Sequence, residues 1–219
     1  MAKKKTKLLP VEITLIVDRS GSMKGIGKEV IGGINAFYEE QKKQPGEAVI
    51  TYVQFDNVYE TVFTKKPLNE VPPLNDSTFV PRGMTALNDA IGRTLNSIDK
   101  TTKAPQMIMI MTDGEENSSQ EYNQASVKKL VEESKALGWT ILFMGANIDA
   151  FTVGGQYGIV ANNIAQFAAT GAGATAATMS VSSKMSSIRT AYSSGASGQS
   201  LSDIGAPMSV IYDSFDVNK

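Results

Sequence analysis

The sequence predicts an α/β fold: a doubly wound, mostly parallel sheet with helices on both faces and one antiparallel edge strand. Three observations carry this reading. The runs Ile13-Thr14-Leu15-Ile16-Val17, Gln106 to Thr112 and Trp139 to Met144 are apolar almost without interruption, as strands covered on both faces are. Stretches of helical periodicity lie between them. Two of the three runs stop at a carboxylate, Asp18 and Asp113, each followed by loop-forming residues.

Taken in order, the first run opens into a helix from about Lys24 to Gln44. Its stripe is Ile26, Val30, Ile34, Phe37 and Tyr38, and Pro45-Gly46 ends it. Gly25, Gly27, Gly32 and Gly33 weaken its front half, either for close packing against the sheet or as a frayed start. Val49 to Phe55 and Val58 to Thr64 are β-rich and separated by Asp56-Asn57, a hairpin signal that makes them antiparallel neighbours. The second alternates Val58, Glu60 and Val62 with Tyr59, Thr61 and Phe63, which suits an edge. Lys65 to Met84 is a proline-punctuated loop, long enough to suggest a functional role.

Leu87, Ile91, Leu95 and Ile98 then mark a helix opened by Met84-Thr85-Ala86. A further helix runs from about Tyr122 to Leu137, with Gly138 as its stop. Asp149 reads as the cap of a turn after the Trp139 strand. Asn162 to Phe167 offers a last strand. From Ala168 to Ser202 the composition is Ala, Ser, Gly and Thr, with Lys184 and Arg189 the only charges. Val181, Met185, Ile188 and Tyr192 keep a helical spacing there, so a packed helix is expected rather than a linker. The expected organisation is a disordered basic tail over residues 1–10, carrying Lys3, Lys4, Lys5 and Lys7, and a single domain over 11–219 that includes the C-terminal strand and helix.

Composition removes whole classes of chemistry. The chain of 219 residues has no histidine and no cysteine. Ser-His-Asp triads, Cys-His pairs, disulfides and ordinary zinc sites are therefore out of reach. A net charge of −1 gives no global field to recruit nucleic acid. No transmembrane run is present, and Pro10, Glu12 and Asp18 interrupt the apolar stretch behind the N-terminal lysines, so neither a membrane nor a signal peptide is indicated. A cytoplasmic protein, monomeric on its own, is expected.

The chemistry lies in oxygen donors. Asp18, Ser20 and Ser22 follow the first strand at two-residue spacing and offer hard ligands suited to Mg²⁺, Mn²⁺ or Ca²⁺. Asp113 follows a second strand, and Thr85 opens a helix from a third direction. In open α/β sheets the carboxyl ends of strands are where ligands gather. Singly, each of these residues also reads as a helix cap or a turn former.

The ordered set Asp18-x-Ser20-x-Ser22, Thr85 and Asp113-Gly114 resembles the metal-ion-dependent adhesion site of von Willebrand factor A domains, over about residues 11 to 145. The resemblance implies that the two serines and the threonine bind the ion directly and the aspartates directly or through water. It also implies an incomplete cage, closed by a Glu or Asp of a protein partner. The function implied is a non-enzymatic, metal-dependent protein-binding module with Mg²⁺ as the first choice. Small single-domain members of the family occur in bacterial stress-response, chelatase-type and phage settings. Integrin-type domains with a second ion carry acidic residues after the second serine; Met23-Lys24-Gly25 stands here, so one ion is expected. Asp89 is expected as a helix-dipole partner or as an acceptor behind the ligands, and Arg82, Glu115, Glu116 and Asn117 as a rim that tunes the partner. Two alternatives remain. An Mg²⁺ phosphoryl-transfer enzyme would want a second carboxylate where Ser20 stands, and no Gly-rich phosphate loop ending in Lys-Ser or Lys-Thr is present. A scaffold with a purely structural ion would be indifferent to a partner's acidic residues.

Overall fold

In a computed structural model, residues 8–146, 148–168, 170–196, 201 and 204–208 are described. Six strands form one sheet in the order β3-β2-β1-β4-β5-β6. They are β1 (Val11–Asp18), β2 (Ala48–Phe55), β3 (Tyr59–Pro67), β4 (Gln106–Thr112), β5 (Thr140–Ala146) and β6 (Ile164–Phe167). Every neighbouring pair is parallel except β2 with β3, the expected hairpin at one edge. β1, β4 and β5 are buried almost throughout, which is why their sequences show no alternation.

The helices are α1 (Gly27–Lys42), α2 (Leu87–Ser97), α3 (Gln124–Ala136), α4 (Ala150–Gln156) and α5 (Gly171–Ser193). Val30, Ile34 and Phe37 of α1 share one apolar cluster with Val181, Met185 and Ile188 of α5 on one face of the sheet. Leu87, Ile91 and Leu95 of α2 pack with Val127 and Val131 of α3 and Ala150 of α4 on the other. The bland C-terminal composition therefore makes a buried helix. Its Arg189 is buried because it donates to the carbonyl oxygens of Gln41 and, at 2.9 Å, of Gly46, holding a cation at the carboxyl end of α1. Among the described residues no helix is long and apolar enough to cross a membrane.

The expected helix from Lys24 starts later than its periodicity suggests. Residues Gly21–Ile26 wind as a 3₁₀ turn, and the α-helix begins at Gly27. Gly33 does allow a close approach, but to α5 rather than to the sheet: a Cβ there would stand 2.7 Å from the Thr178 hydroxyl. The short helix α4 was not expected beyond the cap at Asp149, whose carboxylate accepts from the Thr152 amide at 3.0 Å. Seven residues without an apolar stripe carry too little periodicity to be seen. The proline-rich loop after β3 is packed, with Leu68, Val71, Leu74 and Phe79 buried in the α1 face. The lysine cluster 3–7 lies outside the described residues; Leu9 lends its carbonyl to the Tyr192 hydroxyl at 3.3 Å.

Two glycines predict opposite responses to the same substitution. A Cβ on Gly92 would lie 2.4 Å from the Tyr122 ring, whereas one on Gly32 meets nothing within 4 Å. Gly92→Ala should destabilise by about 1–3 kcal/mol despite the better helix former. Gly32→Ala should be neutral or stabilising by up to about 1 kcal/mol. Urea midpoints of the two variants check both signs.

Candidate metal centre

The site sits where β1 and β4 end side by side. From β1 the chain leaves toward β2, and from β4 toward β5, so their connections diverge and leave a crevice. Asp18 closes β1 inside it, with no exposed surface. Its Oδ1 accepts from the Ser20 amide at 2.6 Å, and its Oδ2 from the Thr112 hydroxyl at 2.5 Å. The Thr112 bond crosses from β4 to β1, a position the sequence presents only as the end of an apolar run.

Ser20, Ser22 and Asp113 form a string of oxygens. Ser20 Oγ lies 3.0 Å from Ser22 Oγ, which donates to Asp113 Oδ1 at 2.7 Å. Thr85 joins them from α2's entrance: a Cβ on Gly114 would stand 3.1 Å from Thr85 Oγ1 and 3.7 Å from Ser22 Oγ. All five sequence-predicted residues thus converge. Asp18, Ser20, Thr85 and Asp113 are buried and Ser22 is exposed, so the cluster opens to solvent on the Ser22 side.

Donor chemistry and spacing both fit a hard divalent ion. Mg²⁺ takes oxygen at about 2.0–2.1 Å in an octahedron, which puts adjacent ligands about 2.9 Å apart. The separations of 3.0 and 2.7 Å in the structure straddle that value. Ca²⁺, with bonds of about 2.3–2.6 Å, would require these oxygens to spread. Among the described residues no three carboxylates, histidines or cysteines gather at one point, so the charge of this site comes from two aspartates and its remaining donors are hydroxyls.

The neighbouring loop is held by Glu116 and Asn117, which the sequence placed on the rim, and by Asp89, expected behind the ligands. Glu116 is no free rim charge. It accepts from the amides of Asn88, Ser118 and Ser119 and from the Ser119 hydroxyl, at 2.7–2.9 Å. Asn117 exchanges two bonds with Thr85, its Oδ1 accepting from the Thr85 amide at 2.9 Å and its own amide donating to the Thr85 carbonyl at 3.0 Å. Asp89 accepts from the amides of Gln120, Glu121 and Tyr122. Burial works against its charge, but those three donors prevail and hold its carboxyl below the usual range. Glu115 remains exposed at the rim.

With this geometry established, comparison with known proteins places the fold. A family model described as the von Willebrand factor type A domain matches residues 12–191. The chain belongs to this family. Similar solved structures include proximal thread matrix protein 1 from the mussel byssus, with a zinc occupied MIDAS motif, at 18% identity and a TM-score of 0.58 over 80% of this chain and 48% of that one. The pilus adhesin SpaC of Lactobacillus rhamnosus GG matches at 13% identity and a TM-score of 0.64, covering 84% of this chain and 31% of that one. Manganese-loaded TRAP protein of Plasmodium vivax matches at 16% identity and a TM-score of 0.53, covering 72% and 68%. This von Willebrand factor A domain thus spans about half of the mussel chain and less of the pilus adhesin. No curated protein sequence matches it.

Electrostatics predict how the metal-free site behaves. Burial pushes the Asp18 carboxyl up to about 6, against the lowering pull of Thr112 and Ser20, and the nearby Asp113 charge adds to the rise. Burial raises Asp113 as well, with the Ser22 hydroxyl opposing. Between pH 4 and 6 the folded chain therefore holds protons that the unfolded chain has lost, so stability falls as pH rises through that window. Asp18→Asn keeps the shape without the charge. In EDTA at pH 7.5 it should be more stable than the parent by on the order of 2–3 kcal/mol, with the gap closing toward pH 4. Urea midpoints at the two pH values decide it, and an unchanged or lowered midpoint at pH 7.5 contradicts the reading.

Proposed function

We propose that this protein is a non-enzymatic binding module that holds one divalent ion, Mg²⁺ first and Mn²⁺ or Ca²⁺ as substitutes. The ion presents an open position to an acidic side chain of a protein partner. The observation that carries the reading is the continuous string of Ser20, Ser22 and Asp113 oxygens at ligand spacing, with Thr85 against it and Asp18 beneath. The two relatives described as zinc-occupied and manganese-loaded support a divalent ion on this fold.

In this reading Ser20, Ser22 and Thr85 supply neutral ligands, and Asp18 and Asp113 supply the charge. Two carboxylates against a doubly charged ion leave the centre close to neutral, so a third carboxylate meets a Lewis acid rather than a charge barrier. When bound, the ion supplies that attraction. The protein's own part is geometric: Thr112 and the Ser20 amide fix both Asp18 oxygens, and Asn117 fixes the backbone of Thr85. Around the mouth, Met84 is 56% exposed beside Thr85, and Glu115 is exposed on the opposite loop. A partner with an acidic residue next to an apolar one suits that rim. A phosphoryl-transfer reading finds no support in the geometry, because the position two residues past Asp18 carries a hydroxyl bonded to Ser22 and no general acid.

The test has two stages. Calorimetry should show one ion bound by the parent, weakened at least tenfold by Thr85→Ala, and absent in Asp18→Ala. A partner recovered from the native host without EDTA, and lost with it, then enters a double-mutant cycle. Thr85→Ala is paired with conversion of the partner's acidic residue to its amide. Coupling of about 2 kcal/mol or more, vanishing in EDTA, is expected of a metal bridge. Additive effects, or binding indifferent to EDTA, would place the partner elsewhere on the domain.

A further inference from the structure

The residue between Asp18 and Ser20 is Arg19, and it is buried. A buried guanidinium beside two carboxylates that await a cation is an odd choice, since its charge competes with the ion. The structure turns it away. Arg19 Nε donates to Asp56 Oδ2 at 3.1 Å and its Nη1 to Glu60 at 2.6 Å, both on the β2–β3 hairpin. Asp56 is 1% exposed, and the same Oδ2 accepts a second guanidinium, Arg82 Nε, at 2.9 Å. Its Oδ1 is taken by the Val58 amide at 2.6 Å, which fixes the carboxylate's orientation within the turn.

Arg19 and Arg82 belong to the two loops that must meet at the ion. One carries Ser20 and Ser22, the other Thr85. Their backbones are stitched beside Asp56: the Arg82 amide donates to the Arg19 carbonyl at 2.7 Å and the Gly21 amide to the Gly83 carbonyl at 3.1 Å. The Ala86 amide donates to the Asp56 carbonyl at 3.0 Å. Gly83 has a φ of +70°, and a Cβ there would lie 2.2 Å from Asn57 Oδ1, so the hairpin tip also dictates the path of the Thr85 loop.

We infer that Asp56 is a positioning residue that ties the Ser20/Ser22 loop to the Thr85 loop through Arg19 and Arg82, and so sets how tightly the site holds its ion. The inference rests on the metal reading above for its consequence, but the tie itself is a property of the metal-free chain. One carboxylate oxygen, desolvated and shared by two guanidinium groups, makes charge-assisted bonds that an amide cannot replace. In Asp56→Asn, an oxygen can still accept from Val58, but the amide nitrogen then faces two N–H donors.

The test combines ion affinity with amide exchange on the whole chain. Mn²⁺ titrations of the parent, Asp56→Asn and Arg82→Gln should show binding at least tenfold weaker in the first variant and several-fold weaker in the second, which removes one exposed guanidinium and leaves the buried pair. Hydrogen exchange in EDTA should show the Gly21, Arg82 and Ala86 amides losing protection at least tenfold in Asp56→Asn, while Ile108 and Ile110 of β4 keep theirs. Uniform loss across all amides would mean a general support of the fold and would overturn the positioning role, as would unchanged affinity and exchange in both variants. If the parent binds no ion, the metal reading fails, and the exchange pattern alone still decides whether Asp56 ties the loops.

Discussion

The structure around the crevice depends on one constraint: the carboxylate of Asp18 is out of contact with solvent at the end of a central strand, with a second carboxylate close by. Hydrogen bonds from Thr112 and Ser20 offset part of the desolvation but not all of it, because burial still dominates the shift of its proton affinity. Such a site is incomplete as a piece of protein folding. A proton completes it in mild acid, and in the proposed function a divalent cation does so at neutral pH. The hydroxyls of Ser20, Ser22 and Thr85 add donors without adding charge, so a cation bound there would be held but not saturated.

Much of this was legible in the sequence because the relevant signals are local. The apolar runs that become β1, β4 and β5 are short, unbroken and ended by polar residues, and burial on both faces is the physical reason for their uniformity. The spacing of Asp18, Ser20 and Ser22 follows one loop. Thr85 and Asp113 are tens of residues away and are joined to that loop by the rule that ligands gather at the carboxyl ends of strands, and by the family resemblance. The structure brings them within contact range of it.

What was not legible is the support behind the ligands, and the reason is again physical. Arg19, Asp56 and Arg82 interact across 37 and 26 positions, and a charge cluster around a buried carboxylate has no periodicity to betray it. Glu116 and Asn117 look like exposed loop residues until the backbone curls around them, when they become acceptors for amides of α2 and its approach. Thr112 is indistinguishable from any β-branched strand residue by pattern. Gly33 and Gly92 matter through the neighbours that press on them, Thr178 and Tyr122, which are distant in the chain. The candidate ligands were thus legible in sequence and topology, whereas their support is a product of tertiary contacts.

The most direct test of the account is to see the ion. Crystals of the chain grown or soaked in MnCl₂, with data collected at the manganese edge, should give one anomalous peak within about 2.5 Å of Ser20 Oγ and Ser22 Oγ. Thr85 and Asp113 should lie on the same peak, directly or through one water. A map with no peak there, in crystals whose Asp18, Ser20 and Ser22 are well ordered, would contradict the account.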